Sequence, residues 1–235
     1  MIILFAPAKI MNEEKAYDYR ENLFEEKTNE LVNTILTWEK DEFIDTFKIS
    51  ESLYNKVSAY YSKFSSNKAY LPFELYRGES YKAFDYQSLN SKEVEYLNSK
   101  VIIIDSLYGI IKPNSVIKPY RLDFHTKKLN IVSYWKKDIN NYFSNLEDKV
   151  ILSLASKEFS SILTKDKNVI DVRFIDVVRG VRKSISVFNK QMRGNLLRYI
   201  IKNKIDNIDE LPNEIEGYTK EAKKNYNEII YIRYK

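Results

Sequence analysis

Apolar residues recur in two periods along this chain, and the two alternate. Ile2 to Phe5 is a short continuous apolar run, too brief for a helix, and reads as a buried strand. Leu23 to Trp38 follows, with Leu23, Phe24, Leu31, Ile35 and Trp38 near helical spacing. Glu42 to Phe47 reads as a short second helix. Ser50 stands where a cap would open a third, running to about Phe64 with Leu53, Val57, Tyr60, Tyr61 and Phe64 on its apolar side. Ser91 is a candidate cap for a helix to Asn98. Val101 to Ile104 is a run of β-branched residues that predicts a buried strand, with Leu107-Tyr108-Gly109 turning out of it.

The alternation continues to the end. Lys118 to Phe124 reads as extended. Ser133 to Leu146 reads as a helix with Tyr134, Ile139, Tyr142, Phe143 and Leu146 near one side. Val150 to Leu154 is another strand, with a short helix from Ser156. Val169–Val178 and Val181–Phe188 predict a hairpin closed by Arg179-Gly180, and Lys190 to Ile205 a long basic helix. Ile229 to Arg233 is a last strand. With no composition break and no internal repeat, the expectation is one α/β domain over residues 1–235, a mixed sheet with flanking helices.

Composition removes several chemistries. The 235 residues contain no Cys and one His, so disulfides, thiolate catalysis and multi-histidine metal centres are excluded, and no metal or cofactor is expected. A thiol peroxidase needs a Cys, and a haem peroxidase normally a proximal His. His125 lies in no supporting motif and reads as a surface or edge-strand residue. No stretch is long and apolar enough to span a bilayer, and the N-terminal run lacks the basic flank of a signal peptide, so a cytoplasmic protein is expected.

Charge is uneven. Asn12 to Glu51 holds twelve acids and five bases, although the whole chain is +5. Arg179 to Ile205 contains Arg179, Arg182, Lys183, Lys190, Arg193, Arg198, Lys202 and Lys204 and no acid. Such a run suits a polyanion, and equally a solvated face balanced elsewhere in the fold.

Several short blocks, taken in order, resemble the YaaA peroxide-stress family nearly end to end. They are Ala6-Pro7-Ala8-Lys9; Ser106-Leu107-Tyr108-Gly109-Ile110-Ile111-Lys112-Pro113; Pro119-Tyr120-Arg121-Leu122 with Trp135 beyond it; Leu154-Ala155-Ser156-Lys157-Glu158-Phe159; Lys190-Gln191-Met192-Arg193-Gly194; and Gly217-Tyr218 with Arg233-Tyr234. The chain departs from the family pattern at Ala6, usually Ser, at Asn12, usually Asp, at Asp105-Ser106, usually Ser-Gly, and at Phe159, usually Tyr. A mechanism needing the hydroxyls of positions 6 and 159 would fail here. The resemblance implies indirect peroxide protection linked to low free iron, a cantaloupe-slice fold with a positive cleft and a helix-hairpin-helix element, and DNA binding. It implies no accepted enzymatic activity.

Two functional expectations follow. In the first, duplex or branched DNA is bound through phosphates with little sequence preference by Lys112, Arg179, Arg182, Lys183, Lys190, Arg193, Arg198 and Lys202. The backbone hairpin would be Leu107–Ile110 or the turn between Ile205 and Gly217. In the second, Lys9, Tyr108, Arg121, Glu158, Lys190 and Arg193 form a polar pocket for an anionic metabolite, with Glu158 as base, Lys9 as nucleophile or phosphate ligand and Arg121 as anion clamp. Arg121 is expected in a strand, partly buried and paired with an acid such as Glu158.

Overall fold

The computed structural model describes residues 1–148, 150–222 and 227–235. Its centre is a nine-stranded mixed sheet. The strands are β1 (Ile2–Phe5), β2 (Val101–Asp105), β3 (Gly109–Ile111), β4 (Val150–Ser153), β5 (Asn168–Val178), β6 (Val181–Lys183), β7 (Glu214–Ile215), β8 (Tyr218–Lys220) and β9 (Glu228–Tyr234). They lie in the order β3-β2-β1-β4-β5-β9-β8-β7, with β6 paired to β5 off this path. β1, β2, β4, β5 and β9 run parallel, while β3, β6, β7 and β8 are antiparallel additions. β1 and β2 are buried on both faces, which is why they read as unbroken apolar runs, whereas β5 and β9 alternate along much of their length.

Nine α-helices are present among the described residues: α1 (Glu25–Leu36), α2 (Lys40–Phe47), α3 (Glu51–Ser62), α4 (Pro72–Leu75), α5 (Glu79–Phe84), α6 (Ser91–Lys100), α7 (Ile131–Ser144), α8 (Lys157–Ser160) and α9 (Ser186–Asn203). Several sequence boundaries need correcting. Leu23 precedes α1 and is exposed, as is Leu53 on α3. The cap of α6 is Asn90, not Ser91, and forms a reciprocal box with Glu93. The buried stripe of α7 is Ile131, Trp135, Ile139 and Phe143, one residue in every four. Lys118 to Phe124 forms no strand. The hairpin at Arg179-Gly180 is present, and both residues have positive φ, as a two-residue turn of matching twist requires. Its second strand ends at Lys183, and α9 begins at Ser186 rather than Lys190.

The register of β5 positions everything that follows. β4 pairs with Asn168 to Asp171 and stops at Ser153, level with Asp171. β9 pairs with Asp171 to Val177 along one edge of β5. β6 pairs with Asp176 to Val178, so it takes the edge that β4 has vacated. Between the end of β4 and the end of β6, that edge has no strand. Asn189 of α9 fills the gap: its side chain accepts from the Phe174 N–H at 3.3 Å and donates to the Phe174 C=O at 3.0 Å. A buried strand edge left unpaired is costly, and one carboxamide supplies both missing bonds here.

α9 then runs back along the sheet. Its far end lies near the start of β1, where Asp206 accepts from the Met1 amine at 2.7 Å and Tyr96 Oη donates to the Ile205 C=O at 2.8 Å. Midway it crosses α5 at Gly194, where a Cβ would stand 2.1 Å from the Ser80 carbonyl oxygen and 2.9 Å from the Ala83 Cβ. Gly194→Ala should therefore push the helices apart. We expect a loss of about 2 kcal/mol or more, a clear fall in thermal midpoint, with helical content of the folded protein unchanged by circular dichroism.

Candidate functional site

The parallel strands end at a common edge, where the chain leaves β1 at Ala6, β2 at Ser106 and β4 at Leu154. In α/β sheets this is the edge that builds sites. Three of the resembling blocks emerge there, and the Pro119–Leu122 block folds against them.

Most polar groups in those blocks have partners within the fold. Asp105 is completely buried; its Oδ1 accepts from the N–H groups of Leu107 and Tyr108 at 2.8 and 2.9 Å, and its Oδ2 from the hydroxyls of Tyr76 and Tyr120. Burial pushes this carboxyl above its ordinary value, although the four donors pull it down. Tyr108 Oη accepts from the Lys118 N–H at 2.9 Å and lies 3.1 Å from the Lys118 carbonyl oxygen. Trp135 donates to the Ser106 carbonyl at 2.9 Å, and its ring covers Gly109, where a Cβ would come within 2.8 Å of it. Tyr218 and Arg233 both bind Asp176, at 2.9 Å. These residues fix the fold.

The turn at Leu107 to Gly109 joins two strands. Leu107 and Tyr108 are buried and their N–H groups are bound to Asp105, so this turn has no free N–H pair for a phosphate. The stretch after Ile205 leads through a single 3-10 turn into the β7–β8 hairpin at Glu216-Gly217. Neither candidate hairpin lies between two α-helices.

Arg121 and Arg193 differ from the rest. Both are partly buried, and the Nε of each is enclosed without an acceptor among the described residues. Neither guanidinium makes an ion pair there. The expected Arg121–Glu158 pair is absent: Glu158 lies 3.6 Å from His125, which is exposed as expected. The loop that carries Arg121 is held instead by a Lys9–Asp123 ion pair of 2.8 Å, by Ser106 Oγ donating to the Leu122 carbonyl at 2.8 Å, and by the Phe124 ring packed edge-on against Phe159. Lys9, Arg121 and Glu158 are thus on mutually contacting segments, and Tyr108 is not available as a reactive hydroxyl. Arg193 lies on α9, one turn beyond Asn189. Two further orphans, Ser153 Oγ and Asp171 Oδ1, occupy paired positions of β4 and β5.

The basic run divides by position. Arg198 donates to the carbonyls of Phe84 and Asp85 at 2.9 and 3.1 Å, capping the end of α5, and Lys202 lies 3.7 Å from Glu93. Both are toward the far end of α9. Arg182 makes a two-pronged pair with Glu221, at 2.7 and 3.2 Å, on the wall of a groove of about 580 Å³. Lys112 follows β3, which runs antiparallel away from the strand-end edge. Arg179, Lys183 and Lys190 are exposed, make no ion pair among the described residues, and belong to the hairpin and first turns of α9 that extend beyond the end of β4.

A mixed α/β protein with a closed polar core and a cationic strand-end edge is the class that these features define. Residues 1–224 match the family model described as "Peroxide stress protein YaaA". The chain is 31% identical over 229 residues to a UPF0246 protein of Fusobacterium nucleatum, covering 93% of this chain and 92% of that one. It is 32% identical over 233 residues to a UPF0246 protein of Francisella philomiragia, covering 90% and 91%. The chain belongs to the YaaA peroxide-stress family. Among the described residues no helix is long and apolar enough to cross a membrane, and no cluster of three or more metal-binding side chains occurs.

The Asp176 network makes stability pH-dependent. Burial raises the Asp176 carboxyl, but the bonds from Arg233, Tyr218 and Lys235 outweigh it and hold the group below its ordinary value. A carboxyl depressed in the folded state stabilises above its unfolded value of about 4 and loses that contribution as pH falls through the folded one. Chemical denaturation at pH 7 and at pH 3 should show this loss. It should be smaller in Asp176→Asn, a variant also less stable at pH 7 because Arg233 loses its counter-charge.

Proposed function

We propose that this member of the family is a DNA-associated peroxide-stress protein that grips the phosphate backbone at the strand-end edge of the sheet. The observation that carries the reading is the placement of Arg179, Lys183 and Lys190: exposed, without ion-pair partners among the described residues, and gathered at one end of the sheet. Phosphate neutralisation needs free cations, because affinity comes from released counterions, and a cation already paired within the protein contributes less. Arg182, Arg198 and Lys202 therefore take a smaller part than their place in the sequence implies. Protection of this kind is indirect. A chain with no Cys, and with its one His exposed beside Glu158, offers neither a thiolate nor a buried proximal histidine for destroying peroxide itself.

A second reading, an enzyme acting on an anionic small molecule, is favoured by the unpartnered Arg121 beside the Lys9–Asp123 pair. A half-buried guanidinium without a carboxylate suits a ligand carboxylate or phosphate.

Titration of a labelled duplex at several salt concentrations tests the first reading. Arg179→Gln, Lys183→Gln and Lys190→Gln together should weaken binding and flatten the salt slope. The slope should fall by just under one for each phosphate left without its cation, about 2.7 for three. Arg198→Gln should instead lower the melting temperature, because it uncaps α5, and leave the slope nearly unchanged. A parental dissociation constant weaker than roughly 10⁻⁴ M at low salt, or no response to salt, would overturn the proposal.

A further inference from the structure

The chain leaving β1 folds back against the end of α4. Met11 and Tyr76 form an antiparallel bridge, the Asn12 N–H donates to the Leu75 carbonyl at 2.7 Å, and the Arg77 N–H donates to the Ile10 carbonyl at 2.8 Å. This ribbon supplies part of the lining of a groove of about 400 Å³. The rest comes from the 3-10 turn Tyr86–Ser88 and the start of α6, through Tyr86, Gln87, Leu89 and Val94. Both parts are fixed. The Tyr86 ring packs on Phe73 with centroids 5.8 Å apart, Arg198 of α9 donates to Ser88 Oγ and to the carbonyls of Phe84 and Asp85, and the Asn90–Glu93 box sets the first turn of α6. A groove held in this way is formed before a ligand arrives.

Its polar groups are of two kinds. Glu74 has both carboxylate oxygens engaged, Oε1 by Lys15 at 3.3 Å and Oε2 by the Tyr17 hydroxyl at 2.7 Å. Arg77 is half-buried, and its guanidinium has neither an ion pair nor a hydrogen bond among the described residues. The carboxamides of Asn12 and Gln87 and the Tyr86 hydroxyl are also without partners there. Burial, with the nearby Glu74 carboxylate, pushes the Tyr86 phenol above its ordinary value, so it stays a donor.

Charge decides which anion suits the groove. A guanidinium offers a carboxylate two parallel N–H bonds, and carboxamide and phenol donors can meet the lone pairs left over. Two bases, Arg77 and Lys15, line the groove with two acids, Glu14 and Glu74, so it carries no excess positive charge. Lys15 is already engaged by Glu74, which leaves Arg77 as the cation for one negative charge. A phosphate, with nearly two charges at neutral pH, would be poorly compensated. Leu89, Val94 and the Tyr86 ring add apolar surface that favours hydrocarbon over water.

We propose that this groove binds a small organic monocarboxylate with an apolar body, the carboxylate held by Arg77 and the body against Tyr86, Leu89 and Val94. None of Arg121, Arg179, Lys183 and Lys190 lines it, so the proposal goes beyond both readings above and rests on neither.

Calorimetric titration of the full chain with benzoate, benzamide and inorganic phosphate tests it. Benzoate should bind with a dissociation constant of about 1 mM or tighter. Benzamide, which has the ring without the charge, and phosphate, which has the charge without the ring, should each bind at least about ten-fold more weakly. Arg77→Gln removes the guanidinium but keeps the backbone bond to Ile10. It should cost about ten-fold or more in benzoate affinity at an unchanged melting temperature. Arg77→Lys keeps the charge without the fork and should lose less; it carries the comparison if the glutamine variant does not fold. Asn12→Asp, which adds a carboxylate to the same groove, should also weaken benzoate. No benzoate binding by the folded protein up to about 10 mM would overturn the inference. So would benzamide or phosphate binding as well as benzoate, or benzoate affinity that survives Arg77→Gln. Affinity lost in Arg121→Gln but kept in Arg77→Gln would place the carboxylate at the strand-end edge and overturn it in favour of the enzyme reading.

Discussion

β4 stops at Ser153 while β5, its neighbour, runs on to Val178, and one side chain makes that mismatch tolerable. A strand buried in a sheet cannot leave its amide and carbonyl groups bare. Beyond β4 the edge of β5 is covered first by Asn189 and then by β6, which folds back after a two-residue turn. Asn189 therefore takes the place of a missing strand. It also fixes the height and rotation of α9, because two hydrogen bonds to one residue of β5 leave the helix no freedom to slide. Gly194 completes the constraint from the other side, against α5. Strand pairing is interrupted there, and the helix over the interruption is held at two points.

That constraint separates two kinds of residue within the blocks that mark the family. Asp105, Tyr108, Tyr120, Trp135, Tyr218 and Arg233 place their polar groups on protein partners, most of them buried. Their contribution is to the shape of the sheet and its connections. Arg121 and Arg193 have been desolvated without such partners. Leaving a buried polar group unpaired is expensive, so the Nε groups of these two arginines, like Ser153 Oγ and Asp171 Oδ1, cost stability rather than add to it. The departures from the family pattern at Ala6 and Phe159 fit this division. Ala6 presents its backbone carbonyl to Tyr81 and Phe159 its ring to Phe124, and neither interaction needs a hydroxyl from these positions.

Much of the sheet was legible in the sequence because its central strands are buried on both faces. Ile2–Phe5 and Val101–Asp105 declare themselves as apolar runs, and Arg179-Gly180 as a turn that demands positive φ. What stayed hidden was short or tertiary. β7 and β8, of two and three residues, are too brief to show alternation, and their Glu216-Gly217 turn carries the same kind of signal as the first hairpin without strands long enough to frame it. The apolar stripe of α7 was right at Ile139 and Phe143 but took in Tyr134 and Tyr142 and left out Ile131 and Trp135, because the two tyrosines are as apolar in the sequence as the residues that face the core. For the site, the sequence pointed to Arg121 and Arg193 but also to Arg198 and Lys202. Charge along a chain cannot reveal which cations meet an acid or a helix end in space. Asn189 carried no signal at all. A lone Asn in a basic helix acquires meaning only when a strand edge is found opposite it, and the same holds for Asp171.

The acid-free run of α9 divides into three successive roles along one helix. Its first turns, with the hairpin before them, carry cations that meet solvent. Its middle, from Asn189 to Gly194, is set by packing with β5 and α5, and Arg193 there is drawn into the protein. Its last turns use cations to close other elements, Arg198 on the end of α5 and Lys202 on Glu93 of α6. Absence of acid within the run has a different cause in each part. At the end, the acids are supplied by other segments, so none is needed in the helix. In the middle, the acid whose field reaches Arg193 is Asp171 of the sheet, and the two form no ion pair. At the start, no acid among the described residues pairs with Arg179, Lys183 or Lys190, and positive charge gathers where the sheet opens. A uniform basic helix would give a protein that binds any polyanion along its length. The division made by Asn189 and Gly194 leaves the unpaired cations at one end of the helix, next to the interruption in the pairing of β5.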